Sequence, residues 1–144
     1  KGAFLAMYFA DKAVVVVNPE VSSVRDSDRI LGLLASKTRR AEIGEGEVTA
    51  YLLLTRYSPQ RVENGEMLSI TDVEEVLGLK TIGVVPESGD VLNASNKGEP
   101  VIMDAESNAG QAYDDAVARL LGEQRPMRFT HLEKKGFFSK LFGG

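Results

Sequence analysis

The chain has 144 residues, 43% hydrophobic and 26% charged, with a formal net charge of −4, a balance that fits one globular domain. It contains no cysteine, which excludes a disulfide framework and any thiolate metal site. The acidic balance argues against a nucleic-acid binder, because neutralising phosphates takes a basic stripe and the only basic concentration is at the carboxyl end. With no secretory signal and no apolar run long enough to span a bilayer, a cytoplasmic location is expected.

Lys1 is not a methionine and leads straight into a helical stretch from Gly2 to Ala10 with no capping residue before it, which reads as a piece of a longer protein. Ala13 to Val17 is a continuous β-branched run of the kind buried on both faces of a parallel sheet. Asn18-Pro19 ends it and predicts a helix, with Asn18 as N-cap and Pro19 at the first helical position, running to about Arg40. After a polar loop from Ala41 to Thr49, Tyr51 to Thr55 is a second buried strand. Arg56 to Gly65 reads as a loop on its Ser58-Pro59 and Asn64-Gly65 turn pairs.

Thr71-Asp72-Val73-Glu74 has capping-box spacing and starts a short helix that ends at Gly78. Thr81 to Val85 is a third apolar strand, stopped by Pro86. Ser88 to Gly98 predicts one short helix, Val101-Ile102 an extended piece, and Asn108 to Leu121 the last helix of the globular part. Alternating strands and helices predict an α/β fold built from βαβ units around a mainly parallel sheet.

Ligands of such sheets bind beyond the carboxyl ends of the strands. The residues there are Asn18-Pro19-Glu20, Thr55-Arg56-Tyr57 and Pro86-Glu87-Ser88. Two readings fit them: polar groups that hydrogen-bond a base or sugar, or ordinary turn chemistry. Catalytic signals are sparse. There is no G-x-x-x-x-G-K-[ST] loop, no G-x-G-x-x-G after a strand and no second histidine to join His131 on a metal. The pairs Asp26 and Asp28, with Arg25 and Arg29, and Asp114 with Asp115 read as solvated helix faces, the first also as a partner-docking surface.

The chain closes on Glu133-Lys-Lys-Gly-Phe-Phe-Ser-Lys-Leu-Phe-Gly-Gly, where three lysines against one glutamate leave a net charge of +2. On a helical wheel Phe137, Phe138, Leu141 and Phe142 fall within roughly 140° of arc. The segment is too short to span a bilayer, which takes ~20 apolar residues, but suits a helix lying in an anionic membrane surface. The alternative is a last helix that packs this stripe on the protein's own core.

The run from Asn18 to Arg29, with Leu52 to Tyr57, Gly83 to Glu87 and the Lys134 to Gly144 end, resembles the MinD/ParA family of deviant Walker-A ATPases, and its septum-site-determining branch in particular. The resemblance covers essentially the whole chain. It implies the carboxy-terminal half of a doubly wound P-loop NTPase domain (residues 1–130) followed by an amphipathic membrane-targeting tail (residues 131–144), with the phosphate-binding loop and switch aspartate in an amino-terminal half outside this sequence.

By the same resemblance the intact protein binds ATP and Mg2+, dimerises around ATP on the cytoplasmic face of the bacterial inner membrane, and recruits the division inhibitor MinC. MinE then stimulates hydrolysis and release, while this chain alone is inactive. The family's pattern puts Thr55, Arg56, Pro86 and Glu87 around the adenine. It puts Ser22, Asp26 and Asp28 on a partner-binding face with Met67 and Asn96 near it, and gives the membrane to Lys134, Lys135, Phe137, Phe138, Lys140, Leu141 and Phe142. A non-catalytic membrane adaptor and a related ATPase that places flagella or plasmids stand as alternatives.

Overall fold

The computed structural model describes residues 2–132; of the membrane-targeting tail expected at 131–144, residues 133–144 lie outside the described residues. Three parallel strands, β1 (Lys12–Val17), β2 (Thr49–Tyr57) and β3 (Lys80–Pro86), form a sheet in the order β1-β2-β3. Lys12 pairs with Thr49 and Tyr51 with Lys80, so β1 and β2 start level, β3 starts two residues further along, and all their carboxyl ends reach one crest. A register shift between Leu54 and Tyr57 lets β2 overrun there, carrying Arg56 out of the ladder.

Side-chain alternation along the strands sorts two cores. Val17, Leu52, Leu54 and Val84 face α2 (Val21–Ser36) and α5 (Ile70–Leu77), where Val24, Val73 and Leu77 complete the first core. Leu53 and Val85 face the other way, onto Ala109, Ala112 and Ala116 of α7 (Asn108–Leu120). Each fully buried aliphatic side chain contributes about 1.5–3 kcal/mol. α7 can lie close because β3 offers Gly83 beneath Ala116.

The β1 run is not buried on both faces. Val15 and Val17 point into the first core, whereas Val14 and Val16 are 39% and 58% exposed, because on that side α7 packs on β3 and on Leu53 of β2 and leaves β1 uncovered in this chain. The short helix α1 (Gly2–Tyr8), predicted from the sequence, buries none of its residues.

Several predicted boundaries move for local reasons. Glu20, not Asn18, is the N-cap of α2; Pro19 lies before it, buried, and its carbonyl accepts from Leu68 N–H. The long helix predicted to Arg40 stops at Ser36. Buried Thr38 then donates to the Leu34 carbonyl and caps a separate turn, α3 (Arg39–Glu42), by accepting from Ala41 N–H.

The expected loop after β2 contains α4 (Pro59–Glu63), capped by Ser58 with proline in its first turn. The capping box is real but two residues earlier: Ser69 accepts from Asp72 N–H and Asp72 accepts from Ser69 N–H. α6 (Gly89–Lys97) ends at left-handed Gly98, as predicted, but Val101–Met103 is a 3-10 turn rather than an extended piece. Its carbonyls at Val101 and Asp104 face the start of α7.

Candidate functional site

The crest of the sheet gathers the polar residues that end the three strands. Thr55 Oγ1 donates to Asn18 Oδ1 at 2.9 Å, bridging β2 to the turn after β1, and the same Asn18 donates its backbone N–H to Ser23 Oγ at 3.2 Å. Glu87 N–H donates to the Tyr57 carbonyl at 2.9 Å and continues the β2–β3 ladder past Pro86. Arg56 Nη2 and Glu87 Oε1 stand 3.6 Å apart, both side chains open to solvent. An ion pair this exposed contributes ~1 kcal/mol at most, so it leaves both side chains available to a ligand.

Arg56 has a φ of 56°. A non-glycine residue in the left-handed region costs roughly 1–2 kcal/mol, and such strain clusters where a ligand is gripped. All four residues assigned to the adenine by resemblance, Thr55, Arg56, Pro86 and Glu87, are therefore brought together at one crest, with Asn18 joining them through the Thr55 bond. Asn18 was legible as a strand-ending polar residue, but only the Thr55 contact ties it to this cluster. Replacing Arg56 by glycine should leave the unfolding midpoint within about 0.5 kcal/mol of the parent, since relieved strain and added chain entropy offset. The grip on any ligand held at the crest should weaken, and a calorimetric titration beside a thermal melt separates the two effects.

The five residues assigned to a partner face are not contiguous. Ser22 and Asp26 share one exposed stripe of α2, bordering a groove along β1 that also includes Asn18 and Glu20. Asp28, two residues further on, is turned about 200° away. Asn96 is exposed on α6. Met67 is 8% exposed, packed in the first core with its Sδ accepting from Ser58 N–H. It supports the start of α2 and α4 rather than offering a side chain to solvent.

No protein-family model matches the chain. Septum site-determining protein MinD of Escherichia coli K12 is 63% identical over 143 residues, 99% of this chain and 53% of that protein. MinD of Neisseria meningitidis is 60% identical over 144 residues, all of this chain and 53% of that protein. The chain is MinD-like along essentially its whole length. Among solved structures, the MinD cell division protein of Aquifex aeolicus superposes with a TM-score of 0.76 at 38% identity, covering 86% of this chain and 49% of that one. The MinC:MinD complex of the same organism gives 0.73 at 39% identity, over 83% of this chain and 46% of that one.

This MinD-like chain spans about half the length of the curated relatives it matches, and its fold is the carboxy-terminal half of the doubly wound sheet of MinD-type P-loop NTPases. Among the described residues no group of three or more His, Cys, Asp or Glu is placed to hold a metal ion, and no helix is long and apolar enough to cross a membrane.

One pair read as solvated is not. Asp114 is exposed, but Asp115 is 4% exposed and accepts from Arg125 Nη1 at 3.2 Å and Arg128 Nε at 2.8 Å. The sequence signal lay ten and thirteen residues downstream, in two arginines of an irregular segment. Around them Arg119 donates to the carbonyls of Ile82, Arg125 and Pro126 at 2.7–3.1 Å. These contacts clamp residues 123–129 against α7 and β3.

Proposed function

We propose that this chain is the nucleotide-base- and membrane-binding half of a MinD-like membrane-cycling ATPase that positions the division septum. The observation that carries the reading is the 63% identity to MinD along 99% of the chain. The crest supports it chemically. Asn18 and Thr55 offer amide and hydroxyl groups for the edge of a base, Pro86 an apolar surface for its face, and Arg56 and Glu87 opposite charges beside it. ATP and Mg2+ are the expected ligands of the intact protein. When bound, the metal neutralises developing phosphate charge, and the residues of this chain hold and orient the base. Phosphate and metal ligands come from the amino-terminal half, so the chain alone does not hydrolyse ATP.

The intact protein then dimerises around ATP and recruits the inhibitor MinC through the Ser22–Asp26 stripe, Asp28 and Asn96; the solved MinC:MinD complex of Aquifex aeolicus supports MinC as the partner. MinE-stimulated hydrolysis releases it. Residues 131–144 attach it to anionic lipid on the cytoplasmic face of the inner membrane, with Phe137, Phe138, Leu141 and Phe142 in the acyl boundary and Lys134, Lys135 and Lys140 toward the headgroups. One tail binds weakly and reversibly. Two on a dimer gain from effective concentration, so nucleotide state sets membrane residence.

Sedimentation with anionic vesicles tests the attachment. Binding should depend on the tail, weaken with salt and vanish in the Phe138→Glu, Leu141→Glu double variant, whose circular dichroism should match the parent. Undiminished binding by that variant would sink the membrane assignment. For the enzyme, this chain joined to an amino-terminal half bearing a glycine-lysine phosphate loop should hydrolyse ATP, whereas a non-catalytic adaptor would not.

A further inference from the structure

A groove of about 890 Å3 runs between α4, the start of α5 and the last described stretch of chain. Its walls are apolar. Val62 and Ile70 rise from the first core beside buried Tyr57, and Met127 and Leu132 close the opposite side while remaining more than a third exposed. Glu63 adds a carboxylate to its lining.

Leu132 is itself part of that wall, and the next twelve residues are the amphipathic tail. No linker separates groove from tail. Phe137 follows Leu132 by five residues, at most about 18 Å of extended chain, so the segment can turn back at Gly136 and lay its aromatic stripe along the groove. The charges of Lys134 and Lys135 are complementary to the carboxylate of Glu63.

We propose that this groove is the resting site of residues 133–144, occupied by the tail's apolar side chains when no bilayer is present and vacated when they enter one. The inference rests on the membrane-binding reading of the tail and adds its regulation. The same phenylalanines cannot fill both places, so groove and bilayer compete. A tethered segment sees its groove at an effective concentration of about 1 mM. A groove affinity of only about 0.1 mM would then keep roughly nine tenths of tails docked and lower apparent membrane affinity about tenfold. That makes a single tail quiet and leaves a dimer, with two tails acting together, able to bind.

The chain has no cysteine, so a nitroxide on Ser139→Cys of the full chain labels one place, on the tail's polar side. Paramagnetic broadening of the amides at 62, 63, 70 and 71 is read without lipid and then with vesicles of phosphatidylethanolamine and phosphatidylglycerol, beside sedimentation. Broadening at the groove that vesicles relieve is the expected result. No broadening there, with tail-dependent sedimentation intact, overturns the resting site and leaves the membrane reading standing. Broadening that vesicles do not relieve, with no sedimentation, overturns both in favour of a permanently packed last helix. Val62→Lys should raise vesicle affinity about tenfold, and the surface substitution Glu63→Lys, which spares the fold, should raise it severalfold; unchanged affinity in both counts against the proposal.

Discussion

Gly110→Ala is expected to destabilise the chain by about 3 kcal/mol or more, although helix propensity alone favours alanine by about 1 kcal/mol. Gly110 lies in the first turn of α7, donating its N–H to the Ser107 cap at 3.3 Å. A Cβ there would meet the carbonyl oxygens of Val101 and Asp104, backbone atoms of the preceding 3-10 turn that are themselves held by the bonds Asp104 N–H to Val101 and Ser107 N–H to Asp104. Neither oxygen can swing aside as a side chain would. The alternatives are to lift α7 from Leu53 and Val85 or to unwind its first turn, and either opens the second core.

The control is Gly32→Ala in the middle of α2, where a Cβ has no heavy atom within 4 Å. There propensity acts unopposed and a gain of about 0.5–1 kcal/mol is expected. Denaturant unfolding of the two variants decides the matter by sign: if both alanines stabilise, the close approach at Gly110 is not as drawn.

Such packing explains what could be read in advance and what could not. The strands were legible because Val14-Val15-Val16-Val17, Leu52-Leu53-Leu54 and Ile82-Gly83-Val84-Val85 are apolar runs bounded by turn residues, and the parallel order followed from the helices between them. What periodicity cannot report is which strand face a helix covers. Val14 and Val16 look identical to Val15 and Val17 in sequence, and only the placement of α7 over β3 and Leu53 leaves them exposed.

The caps of α2 and α5 were misplaced by two residues each; at α5, Ser69, Thr71, Asp72 and Glu74 offer two overlapping boxes and the chain's return to Pro19 through Leu68 selects the first. At the crest, Thr55, Arg56, Pro86 and Glu87 could be named only through family resemblance. Their residue types alone fit a turn equally well, and the signals that distinguish them, the positive φ of Arg56 and the Thr55–Asn18 bond, are three-dimensional. Asp115 was misread for a related reason: its partners sit beyond the end of the helix, where no helical spacing links them.

Asp115→Ala should cost about 2–4 kcal/mol, toward the lower side of the range for removing one partner of a buried pair, because Arg125 and Arg128 retain 34% and 42% exposure and can rehydrate. At about 2–4 °C per kcal/mol for a chain of this size, the melting midpoint should drop by about 4–16 °C. The loss reaches beyond the pair. Freed of its carboxylate, Arg128 no longer holds its guanidinium 5.3 Å over the Phe129 ring, and Phe129, at a φ of 61° and packed on the second core, loses the clamp that sustains its backbone.

The pH dependence follows from the same geometry. Burial opposes ionisation of Asp115, but the hydrogen bonds from Arg128 and Arg125 together outweigh it and hold the carboxyl below its ordinary range. A carboxyl depressed in the folded state adds stability above its unfolded value, near 3.9, and loses it as pH falls toward the folded value. Asp115→Asn, which keeps one acceptor and drops the charge, should therefore be less stable than the parent at pH 7 by a margin that shrinks toward pH 3. Asp72, depressed by the hydrogen bonds from Ser69, titrates in the same direction in both proteins and cancels from the difference. Urea unfolding of parent and variant at pH 7, 5 and 3.5 measures that margin. A gap that stays constant over the series would mean that shape, not charge, is what Asp115 contributes to the clamp on residues 123–129.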